Sequence, residues 1–413
     1  MNRYLFVFLL IVVNFNLHTQ TTNLLAGPMT SFVDSYGTQI WFLLTNDVKK
    51  IEIDISDYEN DRLKEYSFDV INEYQFDKFI PYTVNIDNLL PNKEYIAKVF
   101  LDGEYQCEFD IFTKRPHLDD LQFLIGQNVD GASSNLLKNM SESKSDFMVS
   151  LGGHIKNNED LSFDKLVQKY VDRRLDRELN NFLVSMPQIA TWSIDECYSC
   201  QNDFSNKIDY EAFKLFWPNF VKKAYNYTFN NYGTYQRYTY NDLDLFLLDS
   251  ETFKSNDCLY CDNQIDRIFK EINNTNATFT VIASPVSFLD ENGQFFRDHK
   301  KEYIYFMERL SQVNKKGVIL ISGSSKSDVL GLSKTMFNES GLTYNNNHVF
   351  EFSTPSLSSN VYTEISINGE LNQRILRIKS LDDSGVVHFD RKFRVSDLNL
   401  SLIHISEPTR QLC

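Results

Sequence analysis

Four cysteines in two short-spaced pairs are the side chains best placed to do chemistry in this 413-residue chain: Cys197-Tyr198-Ser199-Cys200 and Cys258-Leu259-Tyr260-Cys261. A two-residue gap lets both sulfurs of a pair face one partner, so a doubled motif is a strong zinc signal in a reducing compartment. In an oxidising compartment the same spacing favours disulfides. Both readings are carried forward: one staple or a pair of disulfides, or a structural zinc held by four thiolates. Neither pair opens an obvious helix after a strand, which argues against a thioredoxin-like redox role. Cys107 falls in a β-rich stretch and is expected to be a buried free thiol. His117, His299, His348 and His388 are too dispersed to form one ligand set. The sequence carries no Gly-x-Ser-x-Gly, phosphate-binding P-loop or His-Glu-x-x-His motif. Tyr225, Tyr227, Tyr232, Tyr235, Tyr238 and Tyr240 crowd one stretch. They could offer an aromatic platform to a glycan or protein partner, but strand propensity favours ordinary packing.

The elements that must position these groups are those of a globular chain: 42% of residues are hydrophobic, 14% aromatic and 23% charged. The net charge of −15 disfavours nucleic acid, because phosphate backbones would be repelled. Residues 1–20 read as a secretory signal peptide. Arg3 supplies the positive end, and the apolar run Tyr4 to Val13 is too short to span a bilayer. No later segment is long and apolar enough for a membrane helix. An exported protein is expected, in a periplasm or at a cell surface, and that compartment favours disulfides. Leu400 to Cys413 resembles the translation of a sequencing adapter, and residues 400–413 are set aside as an artefact.

Residues 21–114 read as a β-sandwich. Thr38 to Leu44 is apolar around Trp41, and Val48 to Ile55 alternates as a half-buried strand does. Tyr82 to Ile86 leads into the turn Leu89-Leu90-Pro91-Asn92-Lys93. Asp102-Gly103 between two apolar runs is a hairpin signal. Lys114-Arg115-Pro116 reads as a linker. From 117 to 398 strands and helices alternate. Leu121 to Ile125, Phe147 to Leu151, Leu243 to Leu248, Phe279 to Ala283 and Gly317 to Ile321 are apolar strands. Phe163 to Val184 and Gln264 to Ile272 read as helices, and Ile365 to Phe393 returns to β character. This is an α/β sandwich with ligand-facing loops at strand C-terminal ends.

Several segments resemble the PhoD-like alkaline phosphatases, especially the Bacteroidota-type members. Gly27-Pro28-Met29, then Leu90-Pro91-Asn92-Lys93-Glu94-Tyr95, Asp102-Gly103 and Phe112-Thr113 are similar to that family's fibronectin-like N-terminal domain. Asp146-Phe147-Met148 with Leu151-Gly152, the Tyr170, Arg174 and Glu178-Leu179 pattern, and Ala190-Thr191-Trp192 are similar to its phosphatase domain. So are Phe213 to Trp217, Phe246 to Asp249 and Gly317 to Gly323. The resemblance implies a fibronectin-like β-sandwich followed by a calcineurin-like metallophosphoesterase α/β sandwich. It also implies phosphoester hydrolysis by bound Fe and Ca ions.

The positions where that resemblance would place metal ligands are changed. Its first strand ends in Gly-Ser-Cys; here Gln127 and Asn128 follow Gly126. Its second ends in Gly-Asp-Asn; here Gly153 and His154 follow Gly152. After the tryptophan it has Asp-Asp-His-Asp; here Ser193, Ile194, Asp195 and Glu196 stand. Its Asp-x-Arg pattern is Asp249-Ser250-Glu251, an acid where an arginine is expected. Its Gly-Asp-Arg-His is Gly323-Ser324-Ser325-Lys326. Neutral groups cannot offset the desolvation of a multivalent cation, so the Fe/Ca site is expected to be lost. His154, Asp195, Glu196 and Asp249 remain as ligands for any one weak cation. Since both cysteine pairs follow family site loops, the resemblance puts them on the rim of that site. The expectation is a non-catalytic binding or structural protein with an unknown protein or glycan ligand and no catalytic cofactor. The rivals are an active phosphatase or phosphodiesterase with a rebuilt metal set, and a zinc-stabilised partner-binding module.

Overall fold

A computed structural model describes residues 23–57, 60–114, 120–198, 200, 207–218, 233–240, 242–290, 293–313, 315–323, 332–333, 343–344, 350–370, 373–398 and 405–406. The first strands are β1 (Leu24–Thr30), β2 (Thr38–Thr45), β3 (Lys50–Asp57), β4 (Asn60–Asp69), β5 (Phe79–Ile86), β6 (Glu94–Leu101) and β7 (Glu104–Phe112). They form a three-stranded sheet, β1-β2-β5, and a four-stranded sheet, β4-β3-β6-β7. Period-2 patterning explains the pairing. Ile51, Ile53 and Ile55 point inward from β3 and meet Ile40, Phe42 and Leu44 of β2 in one core. The β6–β7 turn is Asp102 (φ 49°) and Gly103 (φ 84°), the left-handed pair that a two-residue hairpin needs. β4 has no counterpart among the strands read from sequence, because its polar, charged run lacks clean alternation.

The opposite face of β2 does not meet solvent. Trp41 and Leu43 join Ala26, Met29 and the helices of the second unit in a shared core. Trp41 Nε1 donates to the Leu215 carbonyl at 2.8 Å, and the Gly27 N–H donates to Asn180 Oδ1 at 3.0 Å. Arg174, buried, lies between the Trp41 and Trp217 rings at 5.1 Å and 4.6 Å and donates to the Phe216 carbonyl at 2.7 Å. Each fully buried large apolar side chain at this joint contributes roughly 1.5–3 kcal/mol.

The second unit contains β8 (Leu121–Gly126), α1 (Ser134–Glu142), β9 (Phe147–Leu151), α2 (Phe163–Arg174), α3 (Arg177–Ser185), β10 (Gln188–Thr191) and α4 (Lys207–Leu215). It continues with β11 (Gln236–Tyr240), β12 (Leu243–Leu247), α5 (Cys261–Asn274), β13 (Phe279–Ser284), α6 (Gln294–Asp298), α7 (Lys300–Ser311) and β14 (Val318–Gly323). Then follow β15 (Leu332–Ser333), β16 (Thr343–Tyr344), β17 (Glu351–Thr354), β18 (Val361–Asn368), β19 (Ile375–Asp382) and β20 (Val387–Arg394). One six-stranded sheet runs β10-β9-β8-β18-β19-β20 and the other β11-β12-β13-β14-β17-β15. Phe123, Ile125, Phe147 and Val149 of the first meet Leu245, Leu247, Val281 and Ile319 of the second. Alternate residues face outward: Leu124, Met148 and Ala190 onto α1–α4, and Phe246, Ile282 and Leu320 onto α5–α7. Both faces of these central strands are covered, so they read as continuous apolar runs. The result is a four-layer α/β sandwich beside a fibronectin-like β-sandwich.

The stretch expected as one helix from 163 to 184 is two helices. Asp176 caps α3, its carboxylate accepting the Leu179 N–H at 2.9 Å. That local bond competes with an unbroken helix. Cys107 is partly exposed rather than buried, because β7 is an edge strand; it has no disulfide partner.

Candidate functional site

Each sheet contains a run of parallel strands: β8, β9 and β10 in one, β12, β13 and β14 in the other. Their C-terminal ends therefore lie at one edge, and the loops leaving them meet there. A cleft of about 500 Å³ opens at this edge. Its walls include Gln127, Asn128, Gly153, Ser193, Ile194, Asp195, Glu251 and Gly323, together with Asp130, Lys156 and Asp290. These sequence-predicted positions are thus brought together on one surface. His154, Glu196 and Asp249 are not among its lining residues. Ser324 and Lys326 lie outside the described residues.

The loop tips pack directly on one another. Gly153 has φ 74°, and a Cβ there would come within 2.5 Å of Asn128 Cα and 2.7 Å of Asn128 N. Asn128 is itself left-handed (φ 60°), its N–H donating to the Gly152 carbonyl at 2.8 Å and its Nδ2 to Ser356 Oγ at 2.9 Å. A Cβ on Gly152 would come within 2.5 Å of Ser193 Oγ, and one on Gly323 within 2.7 Å of Gln127 Cδ. At three places, then, a side chain on one loop fills space that a glycine on another leaves open. A carboxylate at Gly153 has no room.

The buried acids behind these tips are already engaged. Glu196 Oε1 accepts the His154 backbone N–H at 2.5 Å, and Oε2 accepts the Ser193 N–H and Oγ–H at 2.9 and 2.8 Å. It ties the loop after β9 to the loop after β10. Asp249 Oδ1 accepts from Trp192 Nε1 at 3.1 Å, Glu251 N at 3.0 Å and Thr252 N at 2.9 Å; Oδ2 accepts from Thr234 N at 2.6 Å. Burial, aided by the Arg174 charge, holds His154 down to about 3, so its ring is neutral. Its Nε2 lies 3.2 Å from the Thr191 carbonyl, which fixes the proton there. The ring packs against Trp217 at 4.4 Å between centroids.

Four acids line the cleft: Asp130, Asp195, Glu251 and Asp290. Burial raises Asp195, with Lys156 pulling the other way. Burial pushes Glu251 up to about 7; its carboxylate accepts from Ser250 Oγ at 2.9 Å and pairs with Lys254 at 3.4 Å. Asp130 is paired with Arg173 at 2.6 Å. The structure does not converge the four candidate ligands: Asp195 faces the cleft, while the His154 ring, Glu196 and Asp249 are engaged in buried hydrogen bonds behind it. Among the described residues no group of three or more His, Cys, Asp or Glu could hold a metal ion. The donors present do not fit the Fe/Ca set that the resemblance implies, so no catalytic step through such ions is derived.

Each cysteine pair is closed on itself, Cys197 with Cys200 and Cys258 with Cys261, at Cα separations of 5.3 and 5.1 Å. Both flank the loop that carries Glu251. Cys200 Sγ lies 3.6 Å from the Glu251 carbonyl, and Cys261 Sγ 3.3 Å from that of Phe253. One sequence expectation is corrected: Cys261 is the first residue of α5, in the loop-to-helix passage after strand β12. The helix was read as starting at Gln264 because polar Asp262-Asn263 hid the first turn.

Tyr238 and Tyr240 are buried strand residues of β11 and Tyr235, just before it, is buried against α5–α7, while Tyr225, Tyr227 and Tyr232 lie outside the described residues. His299 sits buried at the start of α7, and His388 bonds Asp382 at 2.8 Å; His117 and His348 lie outside the described residues. No helix among the described residues is long and apolar enough to cross a membrane. Sequence reasoning missed Asp130, Lys156 and Asp290, which belong to no motif and reach the cleft only through loop geometry.

No family model matches the sequence, and no curated protein matches it. Among solved structures, Vps29 of Chaetomium thermophilum aligns with TM-score 0.28 at 10% identity, over 66% of this chain and 97% of that one. That level carries no argument. The solved structure of PhoD aligns with TM-score 0.69 at 13% identity, over 90% of this chain and 92% of that chain, and on that alignment the chain has a PhoD-like fold.

Proposed function

We propose that this chain is an exported, phosphatase-fold protein that has lost its catalytic metals and serves as a binding or structural protein. One observation carries the reading. Asn128 occupies the space beside Gly153, where the resemblance places a metal-bridging aspartate, and the buried acids Glu196 and Asp249 already accept N–H donors. A multi-metal phosphoesterase needs several anionic ligands free to converge on its cations and a positive environment for phosphate. Here Glu251 stands where the family pattern has an arginine, and Lys156 is the cation among the cleft-lining residues described. The cleft then serves recognition of a protein or glycan rather than turnover. Export is supported by the N-terminal pattern of Arg3 and the Tyr4 to Val13 run.

Elemental analysis of the purified secreted chain, run beside a free-thiol count and hydrolysis of p-nitrophenyl phosphate and its bis ester, tests the reading. Substoichiometric iron, calcium and manganese with no hydrolysis is the expected result. Stoichiometric metal with turnover would establish the rival, a phosphatase rebuilt around His154, Asp195, Glu196 and Asp249. Zinc with four unoxidised thiols would instead favour the zinc-stabilised module.

A further inference from the structure

We propose that Cys258–Cys261 is an exchangeable disulfide that oxidises protein dithiols, while Cys197–Cys200 is a structural staple. Four observations separate the pairs. Cys261 is the first residue of the 14-residue helix α5, whose N-cap residue Tyr260 makes no side-chain cap, and that end of a helix favours negative charge. Cys258 and Cys261 are both partly exposed, whereas in the other pair Cys200 is partly exposed and Cys197 is fully buried at 0%. Cys261 has φ 57°, a left-handed backbone that is unfavourable for a non-glycine residue. Exposed disulfides under strain are the labile ones. Finally, Glu302 of α7 accepts the Leu259 and Tyr260 N–H groups at 2.6 and 3.0 Å, which pins the segment between the sulfurs. The two sulfurs lie 3.3 and 3.7 Å from the Phe253 carbonyl, and the side chain of Phe253 is partly exposed. It offers an apolar contact to an incoming polypeptide.

The step balances without a further reactant. A partner thiolate attacks Cys258 Sγ, the Cys258–Cys261 bond breaks, and its electron pair leaves on Cys261 Sγ as a thiolate at the helix N-terminus. The partner's second thiolate then attacks the partner sulfur of the mixed disulfide. That releases Cys258 as a thiolate, and both sulfurs take up protons at a pH below their pKa. The partner ends as a disulfide, oxidised by two electrons, and the pair ends as a dithiol. A low-molecular-weight disulfide such as oxidised glutathione returns it to the starting state.

The test treats the native full chain with a stoichiometric dithiol, dithiothreitol. Samples are quenched with acid, alkylated and mapped by peptide mass. Cys258 and Cys261 are expected to become alkylated about tenfold or more faster than Cys197 and Cys200, and oxidised glutathione should restore the pair. In Cys261→Ser, oxidised glutathione should leave a persistent mixed disulfide on Cys258. Equal rates at both pairs, faster reduction of Cys197–Cys200, reduction only after unfolding, or cysteines recovered as zinc thiolates would each overturn the proposal. The wild-type rates stand alone if the variant fails to fold.

Discussion

Glu196 Oε1 accepts the backbone N–H of His154 at 2.5 Å, from 42 residues away. One buried carboxylate thus joins the loop after β9 to the loop after β10, and its other oxygen holds Ser193. At this edge an acid that could have been a ligand is a strut.

Restoring the carboxylate that the resemblance places at position 153 should harm the protein. Gly153→Asp forces a Cβ within 2.5 Å of Asn128 Cα. A loss of about 2–3 kcal/mol is expected from overpacking at a left-handed position. Urea unfolding with and without iron or manganese checks this. A stable variant that gains metal would show that the loops part easily.

Asp249→Ala should be among the most damaging single changes. It removes a fully buried acceptor from four N–H donors on Trp192, Glu251, Thr252 and Thr234. The expected cost is about 3–5 kcal/mol, because the donors are left unsatisfied. Denaturant titration followed by tryptophan emission, with Trp192 bonded to the lost group, reads it out. A ligand held only for metal would show little change without metal.

Stability should fall as pH rises from about 5 to about 7, and Glu251 should account for part of that fall. Burial raises Glu251 to about 7 in the folded chain, above an ordinary glutamate in the unfolded chain. In that window the folded state holds the proton more tightly, so its contribution is full below the unfolded value and lost as pH passes through the folded one. Glu251→Gln should flatten this part of a Tm-against-pH curve, by an amount on the order of 3 kcal/mol at most. An unchanged slope would exclude Glu251 as its source.

Arg174→Met should loosen the joint between the β-sandwich and the α/β sandwich. The guanidinium stacks on Trp41 from one unit and Trp217 from the other and donates to the Phe216 carbonyl. Methionine keeps volume but loses both the cation–π contacts and the hydrogen bond, for an expected loss of about 2–4 kcal/mol. Two separated unfolding transitions in place of one would mark the uncoupling; unchanged cooperativity would place the joint's strength elsewhere.

Much of the architecture was legible because burial imposes periodicity. Ile51, Ile53 and Ile55 alternate because β3 has one wet face, and Phe147 to Leu151 is unbroken because β9 has none. The turn Asp102-Gly103 was legible because few residues tolerate positive φ. β4 and the break at Asp176 were not, since a charged edge strand and a local cap leave weak patterns.

For the site, the resemblance implied which ligand positions differ, and the cysteine spacing left disulfides and a zinc site both open. Only the folded chain decided what those positions touch. That Asn128 fills the place beside Gly153, that Asp249 serves four N–H groups, and that Cys261 opens a helix are contacts between strand tips brought together by two packed sheets. Such contacts depend on distances across the fold, and composition and spacing along the chain do not encode them.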